Sequence, residues 1–427
     1  MISLKRRLST FVAHLLEKSA SARWILLSTV LAAVGVVGVF VAIPAWINWL
    51  LAAISLVLLV IDVRRYRLEQ RRTTFVKRPL DDFADVTAKL AGDERWNVIR
   101  VHGQTFVHDT GMSLRIAEGR LKAVVQPEPY QLPRDLKSLG GRYRRERIAK
   151  DSSIFNGPGL GWASAVTELP AEASTVTLVR GTFFDRLASD YFAAVDTRRD
   201  GSDTVLAGRR LFVDRLTRLR DFDVSWLFNG VGVSTIAVTS DGMFVITEQS
   251  VRNVGEQGLL APSGSGSLEP KDLGGAASMD VAELSIAGAN RELQEEASIE
   301  PGDIASSYFL GFGRWLNKAA SPEVFAVTFL NVDSHELRRR KRRNEERVYV
   351  DGVSFVRPAL PPDRWDPSRA ELILPPEERG RVSLPLGVAL SLLAREVGTG
   401  PPELATELRR RLDESFVGYE AESTSQG

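Results

Sequence analysis

The chain of 427 residues contains no cysteine, which excludes a disulfide framework, a thiolate nucleophile and a cysteine zinc site. It contains only 4 histidines, and they lack the spacing of a metal-binding set: His14, His102, His108 and His335. Basic and acidic residues nearly cancel, with a formal net charge of +1. This balance argues against a partner recognised by overall charge, such as a nucleic acid. Any functional role of charge must therefore come from local clusters of charged residues.

Two common site motifs are also missing. The stretch "GSGS", Gly264 to Ser267, lacks the trailing Gly-Lys-Ser/Thr that a P-loop needs to cradle phosphates. Clustered glycine and serine instead predict a flexible loop there. No G-x-S-x-G nucleophile elbow occurs in the chain.

The amino-terminal region has a long apolar run. After a basic segment, residues 1–23, the run Trp24 to Ile43 is free of charge, and as a helix it would span about 30 Å, the thickness of a bilayer core. A second apolar run, Ala45 to Ile61, follows Pro44. Residues 24–62 therefore predict a transmembrane helical hairpin. A secretory signal peptide is the competing interpretation, but the run is too long and lacks a small-residue cleavage site.

Basic residues flank both sides of this predicted hairpin. Five precede it and five follow it, from Lys5 to Arg23 and from Arg64 to Arg72. Because positive flanks stay on the cytoplasmic side, both termini are expected in the cytoplasm, with two spans in the membrane.

A stripe of small residues follows one face of the first predicted span. Its spacings of four, three, three and four keep these residues on one side of a helix: Ser28, Ala32, Gly35, Gly38 and Ala42. Such a face packs closely against another helix. The partner is either the second span of the same chain or the same span of another copy.

The remainder predicts an α+β organisation without internal repeats. Residues 63–90 form a linker with a helix, and residues 91–223 an accessory α+β region of unassigned fold. In that region, Trp96 to Asp109 and Met112 to Val125 predict strands, and Ser174 to Val195 predicts a strand followed by a helix.

From residue 224 to 400 the pattern is sharper. Gly232 to Ser250 predicts two strands joined by a Ser-Asp-Gly turn. Val281 to Ala297 predicts a helix, two further strands follow, and Leu384 to Gly398 predicts an amphipathic helix. Residues 401–427 are expected to form a short helix and a disordered polar tail.

The helix over Val281 to Ala297 carries a cluster of acids. Glu292 lies three and four residues before Glu295 and Glu296, so their carboxylates converge on one edge. A divalent cation would relieve their repulsion, and oxygen ligands favour Mg²⁺ or Mn²⁺. The alternative is a solvated acidic surface paired with arginines.

The surroundings of these acids resemble the Nudix box. That pattern is Gly, five residues, Glu, seven residues, then Arg-Glu-apolar-x-Glu-Glu-x-Gly-apolar. The residues in register are Glu283, Arg291, Glu292, Leu293, Glu295, Glu296 and Ile299. The resemblance covers roughly Leu227 to Gly398 and implies a C-terminal α/β/α sandwich.

The resemblance also implies roles for these residues. Glu292, Glu295 and Glu296 would bind Mg²⁺ or Mn²⁺, and Glu295 and Glu296 would be catalytic if the domain is a hydrolase. Glu283 and Arg291 would form a structural ion pair.

Two positions depart from the pattern, since Ala277 and Ser298 stand where it has glycine. Serine at the second of these adopts the required left-handed turn only at a cost. The departures favour a ligand sensor over a fast hydrolase.

A basic run, Leu337 to Arg343, lies in the same region, and its arginines Arg338, Arg339 and Arg340 are candidates to bind ligand phosphates. A solvated basic face is the alternative.

The whole arrangement resembles the SMODS-associated Nudix proteins of CBASS antiphage systems. The resemblance implies an effector of the bacterial inner membrane that binds a cyclic nucleotide made by a CD-NTase, forms homo-oligomers on activation and disrupts the lipid bilayer. The competing class is a membrane-tethered, Mg²⁺-dependent hydrolase of a nucleoside diphosphate derivative.

Overall fold

The structure is a computed structural model. It describes residues 73–412 apart from 152–153, 168, 170–172, 200–202, 250–257 and 341–349, together with isolated positions between 46 and 64.

The prediction of a transmembrane hairpin, and with it the inner-membrane location, is corrected by the structure. Within the described parts of the chain, no helix is long and apolar enough to cross a bilayer. The longest described helices have 17 residues and carry charged side chains on their exposed faces. The first predicted span and its small-residue stripe, Ser28, Ala32, Gly35, Gly38 and Ala42, lie outside the described residues.

The described strands follow the chain in this order: β1 (Thr73–Lys77), β2 (Trp96–Val101), β3 (Gln104–Asp109), β4 (Lys122–Val125), β5 (Pro158–Trp162), β6 (Thr175–Thr182), β7 (Val195–Arg199), β8 (Asp203–Ala207), β9 (Gly232–Val238), β10 (Phe244–Gln249), β11 (Leu260–Ala261), β12 (Gly264–Ser267), β13 (Ser278–Asp280), β14 (Ile304–Trp315), β15 (Ser321–Leu330) and β16 (Val350–Val356).

The described α-helices with defined bounds are α1 (Ala84–Leu90), α2 (Thr110–Ala117), α3 (Arg134–Lys150), α4 (Phe183–Ala188), α5 (Asp190–Ala193), α6 (Val281–Ala297), α7 (Ser334–Arg339), α8 (Pro376–Arg379) and α9 (Leu384–Thr399). Residues 402–412 are also helical, and 413–427 lie outside the described residues.

A nine-stranded sheet forms the centre of the molecule. Its main path runs β11-β10-β9-β15-β14-β3-β2, with β12 paired to β9 and β16 paired to β10. β9 and β15 are parallel, and every residue of both strands is buried. Burial on both faces explains why these strands are nearly continuous apolar runs.

Helices cover both faces of this sheet. On one face α6 packs through Leu284 and Ala289 against a cluster that includes Val233 and Val324. On the other face α9 packs against a cluster that includes Ile236, Phe325 and Val327. Consecutive strand residues point to opposite faces, so β9 and β15 contribute to both clusters. The result is a helix–sheet–helix sandwich.

Strand pairing joins the accessory region to this sandwich. The β2–β3 hairpin extends the central sheet through the pairing of β3 with β14. In return, β13 joins the accessory sheet, whose order is β13-β4-β6-β5. A third sheet, β1-β7-β8, completes the accessory region. The mixed α+β class is therefore observed. Strand hydrogen bonds connect residues on either side of position 223, where the sequence predicted a boundary between two regions.

One predicted strand is a helix. Met112 to Val125 was expected to be extended, but α2 occupies Thr110–Ala117 and only Lys122–Val125 is a strand. The side chain of Asp109 accepts a hydrogen bond from the Met112 amide, which caps the helix. The cap and the packing of α2 against β14 outweigh the weak alternation of the sequence.

Candidate functional site

The acidic residues lie on α6, whose ends match the predicted helix. Asp280 caps its start by accepting a hydrogen bond from the Ala282 amide at 2.8 Å. Ser298 ends it in the left-handed conformation, with φ of 57° and ψ of 32°. This is the backbone turn for which the Nudix pattern uses glycine, and here serine adopts it. The two left-handed glycines before the helix lie at Gly274 and Gly275, upstream of Ala277.

The Gly-Ser-Gly-Ser stretch is a strand, so the prediction of a flexible loop is corrected. β12 pairs with β9 from Gly264↔Thr235 to Ser267↔Gly232. Its glycines permit a close approach to α6, because a Cβ at Gly264 would lie 2.4 Å from the backbone nitrogen of Leu293. Glycines two residues apart in a strand lie on one face, and that alternation was the available signal.

β12 also donates hydrogen bonds to the acidic edge of α6, which is formed by Glu292, Glu295 and Glu296. The Ser267 amide donates to Glu292 Oε1 at 3.1 Å, and the Ser265 amide donates to Glu296 Oε2 at 2.9 Å. A Cβ at Gly266 would lie 2.1 Å from Glu292 Oε1. Glycine is therefore required for the carboxylate of Glu292 to reach the backbone of β12.

The third glutamate is held by cations. Glu295 accepts a hydrogen bond from Lys271 Nζ at 3.1 Å and lies 3.4 Å from a guanidinium nitrogen of Arg291. Thus the structure brings Glu292, Glu295 and Glu296 to one edge, as predicted, but gives each an intramolecular partner.

Arg291 pairs with Asp272 rather than Glu283. Its Nε donates to Asp272 Oδ1 at 2.7 Å, and another nitrogen donates to the Ser267 carbonyl at 2.7 Å. Glu283 is exposed on the first turn of α6. The predicted Glu283–Arg291 pair is therefore not among the ion pairs of the described residues.

The electrostatics of this cluster follow from its burial. Burial of Glu292 raises its pKa to about 7, against the opposing effect of Arg291. Burial alone would lower the pKa of Arg291, but Asp272 and Glu292 outweigh that effect and raise it. The cluster is thus an internally compensated network of acids and bases.

The placement of these carboxylates determines whether a divalent cation fits between them. Among the described residues, no group of three or more His, Cys, Asp or Glu side chains is placed to hold a metal ion. Glu292 and Glu296 accept backbone amides, and Glu295 faces Lys271 and Arg291. The side chains as placed therefore do not form the predicted Mg²⁺ or Mn²⁺ site.

The three predicted phosphate-binding arginines have different environments. Arg340 is engaged by Asp303 and Glu336, whereas Arg338 and Arg339 are exposed on α7. Arg338 lies over the ring of Phe355, with its guanidinium carbon 5.2 Å from the ring centroid. Of the three, Arg338 alone lines a shallow, open cleft of about 390 Å³.

This cleft lies near the end of α6. Its lining residues are Arg338, Val353, Ser354, Phe355, Val356 and Glu378. Val353 and Phe355 pack against the apolar cluster that contains Leu293 and Ile299. The sequence did not single out Phe355, because an aromatic residue in a strand is ordinary core composition.

Comparisons with known proteins add little. No family model matches the chain, and no curated protein matches it. Among solved structures, the chain is similar to protein DR0079 of Deinococcus radiodurans, at 18% identity over 42% of this chain and 82% of that chain. The TM-score is 0.21, too low to support an argument about fold or function.

Proposed function

We propose that residues 224–400 form a Nudix-like domain that binds a cyclic nucleotide without hydrolysing it, as the sensor of a CBASS-type antiphage system. The observation that supports this proposal is that the carboxylates of the acidic edge are already engaged. All three glutamates of the box have partners within the protein. A metal-dependent hydrolase needs these carboxylates as ligands to its cation.

The Nudix relationship itself rests on the register of the box and on the sandwich around it. Glu292 to Ile299 follow the family pattern except at Ser298, which nevertheless adopts the left-handed turn expected at that position. A parallel strand pair between two helical layers accompanies the box. A sensor needs this scaffold but does not need a cation held for catalysis.

The cleft beside α7 supplies the chemistry that a nucleotide requires. An exposed guanidinium at Arg338 is suited to a phosphate, since its planar fork of N–H donors matches phosphate oxygens. The ring of Phe355 lies under the Arg338 guanidinium and holds that group over the cleft. We therefore place the nucleotide in this cleft, with Arg338 at its phosphate.

A direct binding experiment tests the proposal. Calorimetric titration of the purified chain with a panel of cyclic di- and trinucleotides should identify a ligand that is recovered intact. Arg338→Ala and Phe355→Ala should each weaken binding about tenfold, equivalent to about 1.4 kcal/mol. Arg409→Ala, at another exposed arginine, is the matched control and should bind like the wild type. Light scattering with ligand should reveal a homo-oligomer.

A Mg²⁺-dependent hydrolase of a nucleoside diphosphate derivative is the second candidate. The raised pKa of Glu292, about 7, favours it, because a general base works best near the operating pH. Turnover of such a substrate that Glu295→Gln and Glu296→Gln abolish would establish this candidate and refute the sensor. Equal affinity of wild type, Arg338→Ala and Phe355→Ala for a cyclic nucleotide would refute the assigned cleft.

A further inference from the structure

A line of hydrogen bonds connects the accessory region to the acidic edge of α6. Arg186 of α4 donates a hydrogen bond to Ser267 Oγ in β12 at 2.7 Å. The amide of Ser267 donates to Glu292, and the carbonyl of Ser267 accepts from Arg291. One residue of β12 therefore contacts the accessory region through its side chain and α6 through its backbone.

Arg186 is held on several sides. Its side chain is only 7% exposed, and it lies 3.7 Å from Glu323 of β15 and 4.0 Å from Asp190 of α5. Asp190 in turn accepts hydrogen bonds from the amides of Asn229 and Gly230, just before β9. The guanidinium is thus a buried link between the accessory helices and the central sheet.

The position of β12 decides what the acidic edge can bind. Ser265 and Ser267 point their amides at Glu296 Oε2 and Glu292 Oε1, so one oxygen of each carboxylate already accepts a hydrogen bond from β12. A buried charge-assisted hydrogen bond is costly to break. A cation that binds these two oxygens must therefore displace β12.

We propose that Arg186 is a positioning residue that holds β12 against Glu292 and Glu296 and so closes the acidic edge to divalent cations. The proposal rests on the proposed function only in treating this edge as part of the ligand-binding domain. The accessory region then acts as a clamp on the site. Arginine suits this role, because its planar group can reach Ser267 and Glu323 together, whereas lysine offers one point charge.

Hydrogen exchange measures the clamp directly. Mass spectrometry of peptides containing residues 264–267 should show amide exchange about tenfold faster in Arg186→Ala and Ser267→Ala than in the wild type. Arg186→Lys should retain protection between that of the wild type and Arg186→Ala. Arg78→Ala is the matched control, because Arg78 is also 7% exposed but binds the Ala193 carbonyl and not β12.

Two results would overturn the clamp: unchanged protection in Ser267→Ala, or equal acceleration in Arg78→Ala and Arg186→Ala. Ser267→Ala removes only a hydroxyl group, so this variant still tests the clamp if Arg186→Ala fails to fold.

Titration with Mn²⁺ alone, followed by electron paramagnetic resonance, tests the consequence for cations. We expect Arg186→Ala and Ser267→Ala to bind Mn²⁺ about tenfold more tightly than the wild type, and Glu292→Gln combined with Ser267→Ala to reverse the gain. Equal Mn²⁺ affinity in the wild type and both single variants would refute the closure of the edge. If the wild type bound no cyclic nucleotide, the proposed function would be refuted, whereas the hydrogen-exchange result would still stand.

Discussion

The contact between β12 and α6 makes a sharp prediction about two glycines. Gly264 and Gly266 lie on the same face of β12, but an added methyl group meets different atoms at each. At Gly264 it would lie 2.4 Å from the nitrogen and 2.7 Å from the Cα of Leu293, which are helix backbone. At Gly266 it would meet the carboxylate of Glu292, the end of a flexible side chain.

The expected costs differ accordingly. Gly264→Ala forces β12 away from the α6 backbone, and overpacking of this kind costs about 1–3 kcal/mol. The same movement weakens the hydrogen bonds to Glu292 and Glu296. We therefore expect Gly264→Ala to lower the free energy of unfolding by about 3 kcal/mol in total. Gly266→Ala requires only that Glu292 rotate away, and we expect a loss of about 1 kcal/mol.

Urea unfolding monitored by tryptophan fluorescence measures both changes, with Gly302→Ala as the control. No atom lies within 4 Å of a Cβ added at Gly302, so that variant should stay within about 0.5 kcal/mol of the wild type. If Gly264→Ala unfolded at the same urea concentration as the wild type, β12 could not lie on α6. Equal losses in Gly264→Ala and Gly266→Ala would refute the distinction between backbone and carboxylate contact.

Three further predictions concern single residues. Ser298→Gly should raise the free energy of unfolding by about 1 kcal/mol in urea unfolding, because Ser298 adopts a left-handed conformation, and a lower stability would contradict this. Asp272→Ala should cost about 1–3 kcal/mol by removing the bidentate partner of half-buried Arg291, which keeps Glu292 and Glu295, whereas Glu283→Gln should be neutral, and the reverse order would restore the pair predicted from sequence. Burial lowers the pKa of His108 to about 3, so the unfolded chain binds its proton first on acidification. Stability should therefore fall between pH 6.5 and 3 by as much as about 5 kcal/mol, and His108→Gln should flatten that slope in pH-dependent urea unfolding.

Local patterns were sufficient for much of the C-terminal fold. The helix predicted over Val281 to Ala297 has those bounds in the structure, because its cap at Asp280 and its apolar spacing are local properties. The hairpin before it is also confirmed, with β9 and β10 joined through Gly242 in a left-handed conformation. The convergence of Glu292, Glu295 and Glu296 on one edge follows from helix geometry alone.

Tertiary structure decided what those residues contact. No spacing rule places Gly264 to Ser267 on α6 or selects Asp272 as the partner of Arg291, because both contacts join segments that the chain brings together only on folding. The same holds for Arg186, which reaches Ser267 across 81 positions. The long apolar runs near the amino terminus predicted a membrane hairpin. Hydropathy measures how a segment partitions between water and an apolar phase, but it does not determine the architecture in which that segment lies. A sequence thus determines local periodicity and capping, whereas the partner of a buried charge depends on the packing of distant segments.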